Sequence, residues 1–380
     1  MSNPQVDSLE LLVLQPTTFC NINCSYCYLP HRDATNAMSL RTVQAIADRI
    51  AAYPYLAEDI PVVWHAGEPL AAKLSFYEEA LHILSDACPT NHSFRHTIQT
   101  NGMLINDEWC EFFTSNQIRI GLSIDGPKKI HDANRQTRRG LGTFDAVMNG
   151  VKTLQRHRIN FYNIAVVTRE ALPYADDVFN FFLDNGIMEV GLNFEEIEGA
   201  NKKSDLLASV YRDDVAAFVD RFTERAITNR DKFRFRELDG FEGAIQADTL
   251  FRRQQTSRPG AIISIDHAGN FSTFSPELLG QQVNGRSFSP WNVFTHSLAA
   301  MFEDADFKNF ATAIESGLNA CQATCEYFGV CGGGEPSNKW FENKALDSTE
   351  TLSCAVSIKC VAEVLLTRLE REITETADPL

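Results

Sequence analysis

The stretch LVLQPTTFCNINCSYCY, residues 12–28, runs from an apolar, β-rich segment straight into a loop holding Cys20, Cys24 and Cys27. Three thiols so close together are an awkward set. A structural zinc site closes with four ligands, usually supplied as two pairs, whereas a disulfide needs two cysteines. His31 is the one other candidate ligand nearby. Three thiolates from one loop suit a four-iron cluster that leaves one iron open to a further ligand.

The strand before that loop is the first of a series. Six short β-rich runs follow one another: LELLVLQPT, DIPVVWHAG, SFRHTIQTNG, IRIGLSIDG, NFYNIAVVT and IMEVGLNFEE. Between them lie amphipathic stretches such as SLRTVQAIADRIAAY, SFYEEALHILSDAC, NDEWCEFFTSN, TFDAVMNGVKTLQRHR and YADDVFNFFLDNG. Strand–helix alternation at this spacing predicts an α/β fold with a parallel sheet covered by helices. Six units predict an open, partial (β/α)6 TIM-like barrel instead of the closed eight-unit form. Each strand ends in a polar or glycine-bearing cluster (CNINC, HAGEP, QTNG, SIDGP, VTRE, NFEE). Such folds build their sites at these C-terminal strand ends, so the six clusters are expected to share one mouth.

Residues 1–200 are thus expected to form the barrel core, and 201–258, rich in charged helical sequence, to bridge to residues 259–380. That last part opens with a predicted hairpin, AIISIDHAGNFSTFSPELLG, turning at Ala268-Gly269-Asn270. It ends in a predicted helix, SIKCVAEVLLTRLEREITE. A chain of 380 residues is more than one core usually serves. Apolar residues make up 44% and charged residues 22% of it, an ordinary globular composition. The net charge of -16 argues against general affinity for nucleic acid or an anionic membrane surface. No basic and apolar signal segment opens the chain, and no apolar run reaches the ~20 residues that cross a bilayer. A cytoplasmic location is expected, without nucleic-acid or membrane partners.

Ten cysteines in a reducing compartment favour metal binding or catalysis over disulfides. Cys88 and Cys110 stand alone and are expected to be small buried hydrophobes. The others form two groups. The second, CQATCEYFGVCGGGEPSNKWFENKALDSTETLSC, has the spacing C-x3-C-x5-C-x22-C over Cys321, Cys325, Cys331 and Cys354, with Cys360 following. A zinc ribbon needs two C-x2-C knuckles, which this spacing lacks, although four thiolates can close around zinc. Gly332, Gly333 and Gly334 let backbone amides approach sulfur.

C-x3-C-x2-C behind a first strand, with Tyr26 just before the last cysteine, resembles the signature of radical S-adenosylmethionine (SAM) enzymes. The resemblance implies a [4Fe–4S] cluster on Cys20, Cys24 and Cys27 whose open iron chelates the amino and carboxylate groups of SAM. Reductive cleavage then gives methionine and a 5′-deoxyadenosyl radical able to take hydrogen from an unactivated C–H. It also implies SAM contacts from Tyr26 and from Gly67, Glu68 and Pro69 of HAGEP, whose backbone and carboxylate meet the amino group. Gln99 and Asn101 of QTNG, Ser123 and Asp125 of SIDG, Arg135, and Asn193 at the sixth strand end complete the implied set. Ala66 stands where the family more often has glycine.

The C-terminal group resembles the SPASM extension of radical SAM peptide maturases, which binds auxiliary iron–sulfur clusters. A full extension has further cysteines flanking the hairpin, and none lies between Cys110 and Cys321 here. One auxiliary [4Fe–4S] cluster is expected, on Cys321, Cys325, Cys331 and Cys354, with Cys360 as the alternative fourth ligand. The closest likeness is to the Grr-type maturases that form three-residue cyclophanes (triceptides). It rests on LVLQPTTFCNINCSYCYLPHR, VVWHAGEPL, GNFSTFSPELLG and CEYFGVCGGGEPSNKWFEN. It implies removal of a β-hydrogen from a residue of a ribosomal precursor peptide (leader plus core) and its linkage to an aromatic ring carbon. An electron donor such as flavodoxin or ferredoxin is implied, as is a base, for which Glu195, Glu196 and Glu277 are candidates. Rival expectations are a sulfatase-type maturase making formylglycine, a thioether-forming or epimerising maturase, and a non-catalytic iron–sulfur or zinc scaffold that binds a peptide. With Cys20 so near the first residue, no N-terminal peptide-recognition domain is expected. The leader is expected on the charged helices, the C-terminal part or a sheet edge.

Overall fold

The computed structural model describes residues 6–207, 212–246 and 252–377. The ends of the expected first and last segments, and residues 208–211 and 247–251 of the expected bridge, lie outside the described residues. The six expected strands form, in order: β1 (Leu11–Leu14), β2 (Asp59–Trp64), β3 (Ser93–Thr100), β4 (Arg119–Leu122), β5 (Phe161–Val167) and β6 (Glu189–Phe194). Each pairs in parallel with the next, for example Leu12 with Val62 and Ala165 with Leu192. Helices α1 (Leu40–Ala51), α2 (Leu74–Ala87), α3 (Asp107–Ser115), α4 (Lys128–Asn134), α5 (Phe144–Arg156) and α6 (Ala175–Asp184) connect them. The (β/α)6 arrangement expected from the alternation is therefore the one present.

Local signals explain the elements. In α1, Ser39 caps the first turn by accepting from the Thr42 N–H at 3.1 Å. Val43, Ile46, Ala47 and Ile50 then recur at helical spacing on its buried face. Asn106 caps α3 in the same way, accepting from the Trp109 N–H. In β2, Ile60, Val62 and Trp64 alternate inward and are fully buried. Cys110 is fully buried in the core as expected, whereas Cys88, at the end of α2, is only half-buried.

The sheet does not stop at six strands. Its order is β12 (Trp291–Asn292), β9 (Asn270–Thr273), β8 (Ile262–Ile265), β1, β2, β3, β4, β5, β6 and β7 (Arg234–Phe235). At one edge β7 (Arg234–Phe235) pairs in parallel with β6, between α7 (Arg212–Thr228) and α8 (Arg236–Gln246). The charged bridge thus contributes a strand as well as helices. At the other edge β8 (Ile262–Ile265) pairs in parallel with β1, placing Leu12 beside Ile263. The expected hairpin is formed by β8 and β9 (Asn270–Thr273). Its turn is held by Asp266, whose carboxylate accepts from the Ala268 and Asn270 amides, and Gly269 takes a φ of 85°. A small β10–β11 ribbon (Gln282–Val283 and Arg286–Ser287) and β12 (Trp291–Asn292) follow. The C-terminal part then runs through α9 (Ala305–Thr324), α10 (Phe328–Cys331) and α11 (Pro336–Asn343). A π-helical turn, Cys354–Cys360, leads into α12 (Val361–Ala377). No helix among the described residues is long and apolar enough to cross a membrane.

Candidate functional site

The ends of the barrel strands open into one cavity of about 570 Å³. Cys20, Cys24 and Cys27 lie on its wall with Tyr26, Gly67, Gln99, Asn101, Ser123, Arg135 and Asn193. The sequence-derived set is thereby brought together, apart from Glu68, Pro69 and Asp125, which stand behind that wall.

The cysteine loop is clamped by a distant segment. Asn23 N–H donates to the Gln136 carbonyl at 2.7 Å, and Ser25 N–H to the Asn134 carbonyl at 3.0 Å. The Arg138 guanidinium donates to the Cys20 carbonyl at 3.0 Å and that of Arg32 to the Cys24 carbonyl at 3.2 Å. Burial, reinforced by the Glu68 charge, pushes the Cys20 thiol up to about 12. Burial pushes Cys24 up to about 11. Metal-free, both are neutral thiols at neutral pH, so iron must displace their protons to bind.

Gly67 shows why HAGEP has the sequence it has. Its φ is 58°, and a Cβ there would lie 2.5 Å from the Phe19 carbonyl oxygen and 2.6 Å from that of Thr17. Only glycine lets the second strand end pass this close to the cysteine loop. Ala66 also has a positive φ, 74°, so an alanine stands in a conformation that favours glycine.

Two roles change. The Glu68 carboxylate was expected at the SAM amino group, but it is buried and turned into the protein. It accepts from Thr100 Oγ1 at 2.6 Å and from the Leu70 and Asn101 amides at 2.9 and 2.8 Å. It fastens the second strand end to the third and leaves the loop backbone to face the cavity, while Pro69 opens a short 3-10 turn behind it. Asp125, expected at the ligand, is likewise occupied. It takes Arg135 through two 3.0 Å bonds, the Tyr26 hydroxyl at 2.5 Å and the Val166 amide at 2.9 Å. The cause is common to both: a buried carboxylate needs donors, and the neighbouring strand ends supply them. Arg135 and Tyr26 remain on the cavity wall, with the guanidinium over the ring at 5.4 Å. Gln99 donates to Ser123 Oγ at 3.0 Å, fixing its amide while its Oε1 is buried without a hydrogen-bond partner.

Glu196, Glu198, Glu277 and Glu335 line the cavity too. Burial, helped by mutual repulsion, raises all of them, with Glu196, Glu277 and Glu335 at about 7. Asn338 donates to Glu196 at 3.0 Å, but Glu277 Oε2 is buried with no hydrogen-bond partner. Glu195 also lines the cavity, and its carboxylate accepts from Ser204 at 3.2 Å. Glu198 and Glu335 escaped sequence reasoning. Glu335 had a visible signal, since Gly334-Glu335-Pro336 repeats Gly67-Glu68-Pro69. Both glutamates precede a helical turn begun by proline, but Glu335 faces the cavity where Glu68 turns inward.

The second thiol group surrounds a smaller cavity of about 80 Å³, lined by Cys321, Cys325, Cys331 and Cys354. Cys360 is not part of that wall; its Sγ points to the Arg212 carbonyl at 3.8 Å. Gly334 N–H donates to Cys331 Sγ at 3.1 Å. Gly334, Cys354 and Ile358 line both cavities, so the two spaces share a wall. Among the described residues no three His, Cys, Asp or Glu side chains meet closely enough to hold a single metal ion. The four thiols of the second group surround a space, whereas the three of the first lie together on the wall of the main cavity.

The family model of the Radical SAM superfamily matches residues 14–182. The uncharacterized protein sll1766 of Synechocystis sp. is 40% identical over 369 residues, covering 96% of this chain and 93% of its own. A serine-type anaerobic sulfatase-maturating enzyme of Bacteroides thetaiotaomicron is 26% identical over 361 residues, 89% of this chain and 84% of its own. A solved structure of anSMEcpe with bound AdoMet and Cp18Cys peptide shares the fold, with a TM-score of 0.76 at 20% identity. It covers 96% of this chain and 99% of that one.

Proposed function

The chain belongs to the radical SAM superfamily, and we propose that it is a maturase of a ribosomal precursor peptide that forms an aromatic-carbon to β-carbon cross-link. The observation that carries this reading is the shared wall. One cavity has three thiols at one part of its lining and buried carboxylates at another, and it meets a second, four-thiol cavity at Cys354. A cyclophane-forming oxidation needs a hydrogen-abstraction site, a proton acceptor and an outlet for an electron. These three features supply them side by side. AdoMet and a peptide in the solved anSMEcpe structure agree with a peptide substrate.

Cys20, Cys24 and Cys27 would hold the SAM-binding cluster, and Cys321, Cys325, Cys331 and Cys354 an auxiliary one. When bound, the first cluster and SAM supply an organic radical that removes a hydrogen atom from the peptide β-carbon. The backbone at Ala66 and Gly67, with Tyr26, Gln99, Asn101, Ser123, Arg135 and Asn193, orients SAM. Asp125 holds Arg135 and Tyr26 in place, and Glu68 holds the loop. The peptide loses two hydrogens on forming the new bond: one as the abstracted atom, one as a proton with an electron. Glu277, which lines the cavity and has one carboxylate oxygen without a hydrogen-bond partner, takes that proton in preference to Glu195, which Ser204 already engages. On this reading residues 1–200 are the catalytic barrel, 201–258 the bridge and 259–380 the auxiliary domain, with reduced flavodoxin or ferredoxin in the cytoplasm as donor.

Co-expression with a neighbouring short precursor bearing aromatic-x-x motifs should give a peptide lighter by two hydrogens per motif. A formylglycine product would contradict the cross-link. Because Glu277 must be ionised to accept a proton and is raised to about 7, cross-link formed per SAM cleaved should rise with pH through that value. Glu277→Gln should lower that ratio at every pH, read by mass spectrometry of peptide and 5′-deoxyadenosine together. Cys354→Ala, which leaves three thiolates at the small cavity, should lower the iron content, and Cys360→Ala should leave it unchanged, both read by iron analysis.

A further inference from the structure

Lys339 is the feature the function above leaves unused. It lies on α11, within EPSNKWFEN, and is only 3% exposed. Its ammonium donates to Cys321 Sγ at 3.7 Å. Burying an ammonium is costly unless something negative receives it. A neutral thiol is a weak acceptor, so this placement suits a lysine facing thiolate charge. Lys359, the lysine that lines the small cavity, is differently employed, since its ammonium pairs with Glu350 at 2.9 Å.

On the reading that Cys321, Cys325, Cys331 and Cys354 hold an auxiliary cluster, we infer that Lys339 poises that cluster to accept an electron from the substrate. A four-thiolate cluster is anionic and gains a further negative charge on reduction. A fixed positive charge in a low-dielectric setting stabilises the more negative state more, and so raises the reduction potential. The redox step balances. The cross-linked substrate radical gives one electron to the cluster, which is reduced by one, and its proton goes to a cavity carboxylate. The shared wall at Gly334, Cys354 and Ile358 lets that electron leave the main cavity directly into the small one. Lys339 touches the cluster ligand and not the substrate. It is a positioning residue acting through charge.

The test uses anaerobically reconstituted full-length protein carrying Cys20→Ala, Cys24→Ala and Cys27→Ala, so that the auxiliary cluster is the one left to observe. Its midpoint potential is read by redox titration followed by electron paramagnetic resonance. Lys339→Gln and Lys339→Met should lower the midpoint, and Lys339→Arg should keep it near the parent value. A cluster of unchanged midpoint in Lys339→Gln overturns the inference, as does a fall in Lys339→Arg as large as in Lys339→Gln. Should both neutral variants fail to hold iron, retention in Lys339→Arg supports a requirement for charge, and loss there as well overturns it. A parent variant without iron would count against the auxiliary cluster itself, a separate outcome from any change at Lys339.

Discussion

Replacing Cys20, Cys24 and Cys27 together with alanine should remove about half of about eight irons per chain and abolish 5′-deoxyadenosine formation. The expectation follows from the division of the thiols between two cavities. The three in the barrel mouth sit on one loop, held by Arg32, Arg138, Asn134 and Gln136, and none of them lines the second cavity, although Cys354 borders both. Their loss should therefore leave the second site intact. Three ligands also leave one iron free for SAM, so the variant loses both electron delivery and the place where SAM docks. Iron and sulfide analysis and chromatography of the SAM cleavage products check both halves of the expectation. Loss of all iron would show that the second group cannot hold a cluster alone.

Arg135→Leu should destabilise the fold by about 3–5 kcal/mol. Arg135 and Asp125 form a two-bond ion pair with side chains 8% and 0% exposed. Removing the cation leaves the Asp125 carboxylate buried with only Tyr26 and the Val166 amide as donors. Adding Asp125→Leu should recover part of the loss, because the uncompensated charge goes with it. Chemical denaturation of the two variants gives the comparison. A double variant as unstable as the sum of its parts would mean that the pair is not what stabilises this strand end. Both variants should also weaken SAM binding, since each lacks the Arg135 guanidinium at the cavity wall and the double variant also loses the carboxylate that holds Tyr26.

Much of this was legible in the residues. The six strand–helix units were visible because each is local, with its own alternation, cap and polar strand end. The cysteine groups were visible because most of their members stand close together in sequence. Non-local pairing was not. Ile262–Ile265 are buried throughout and show no alternation, so nothing announced that the hairpin would join the barrel sheet beside Leu11–Leu14. Side-chain direction was hidden for the same reason. Glu68 and Glu335 share the sequence Gly-Glu-Pro, yet one is satisfied by Thr100 and Asn101 and the other faces the cavity. The donors that decide the matter come from a different strand. Spacing likewise left Cys354 and Cys360 equivalent, and the π-helical turn between them separates the two. It sets Cys354 on the shared wall and aims Cys360 at Arg212.

The central claim, hydrogen removal from a peptide β-carbon followed by bonding to an aromatic ring, is tested most directly by isotope transfer. The anaerobically reconstituted enzyme would be given SAM, a reductant and an aromatic-x-x precursor deuterated at the β-carbon of the acceptor residue. Deuterium is expected in 5′-deoxyadenosine, together with a peptide carrying a new carbon–carbon bond and one β-deuterium lost per bond. Deuterium-free 5′-deoxyadenosine, with transfer instead from an α-deuterated peptide, would contradict the claim.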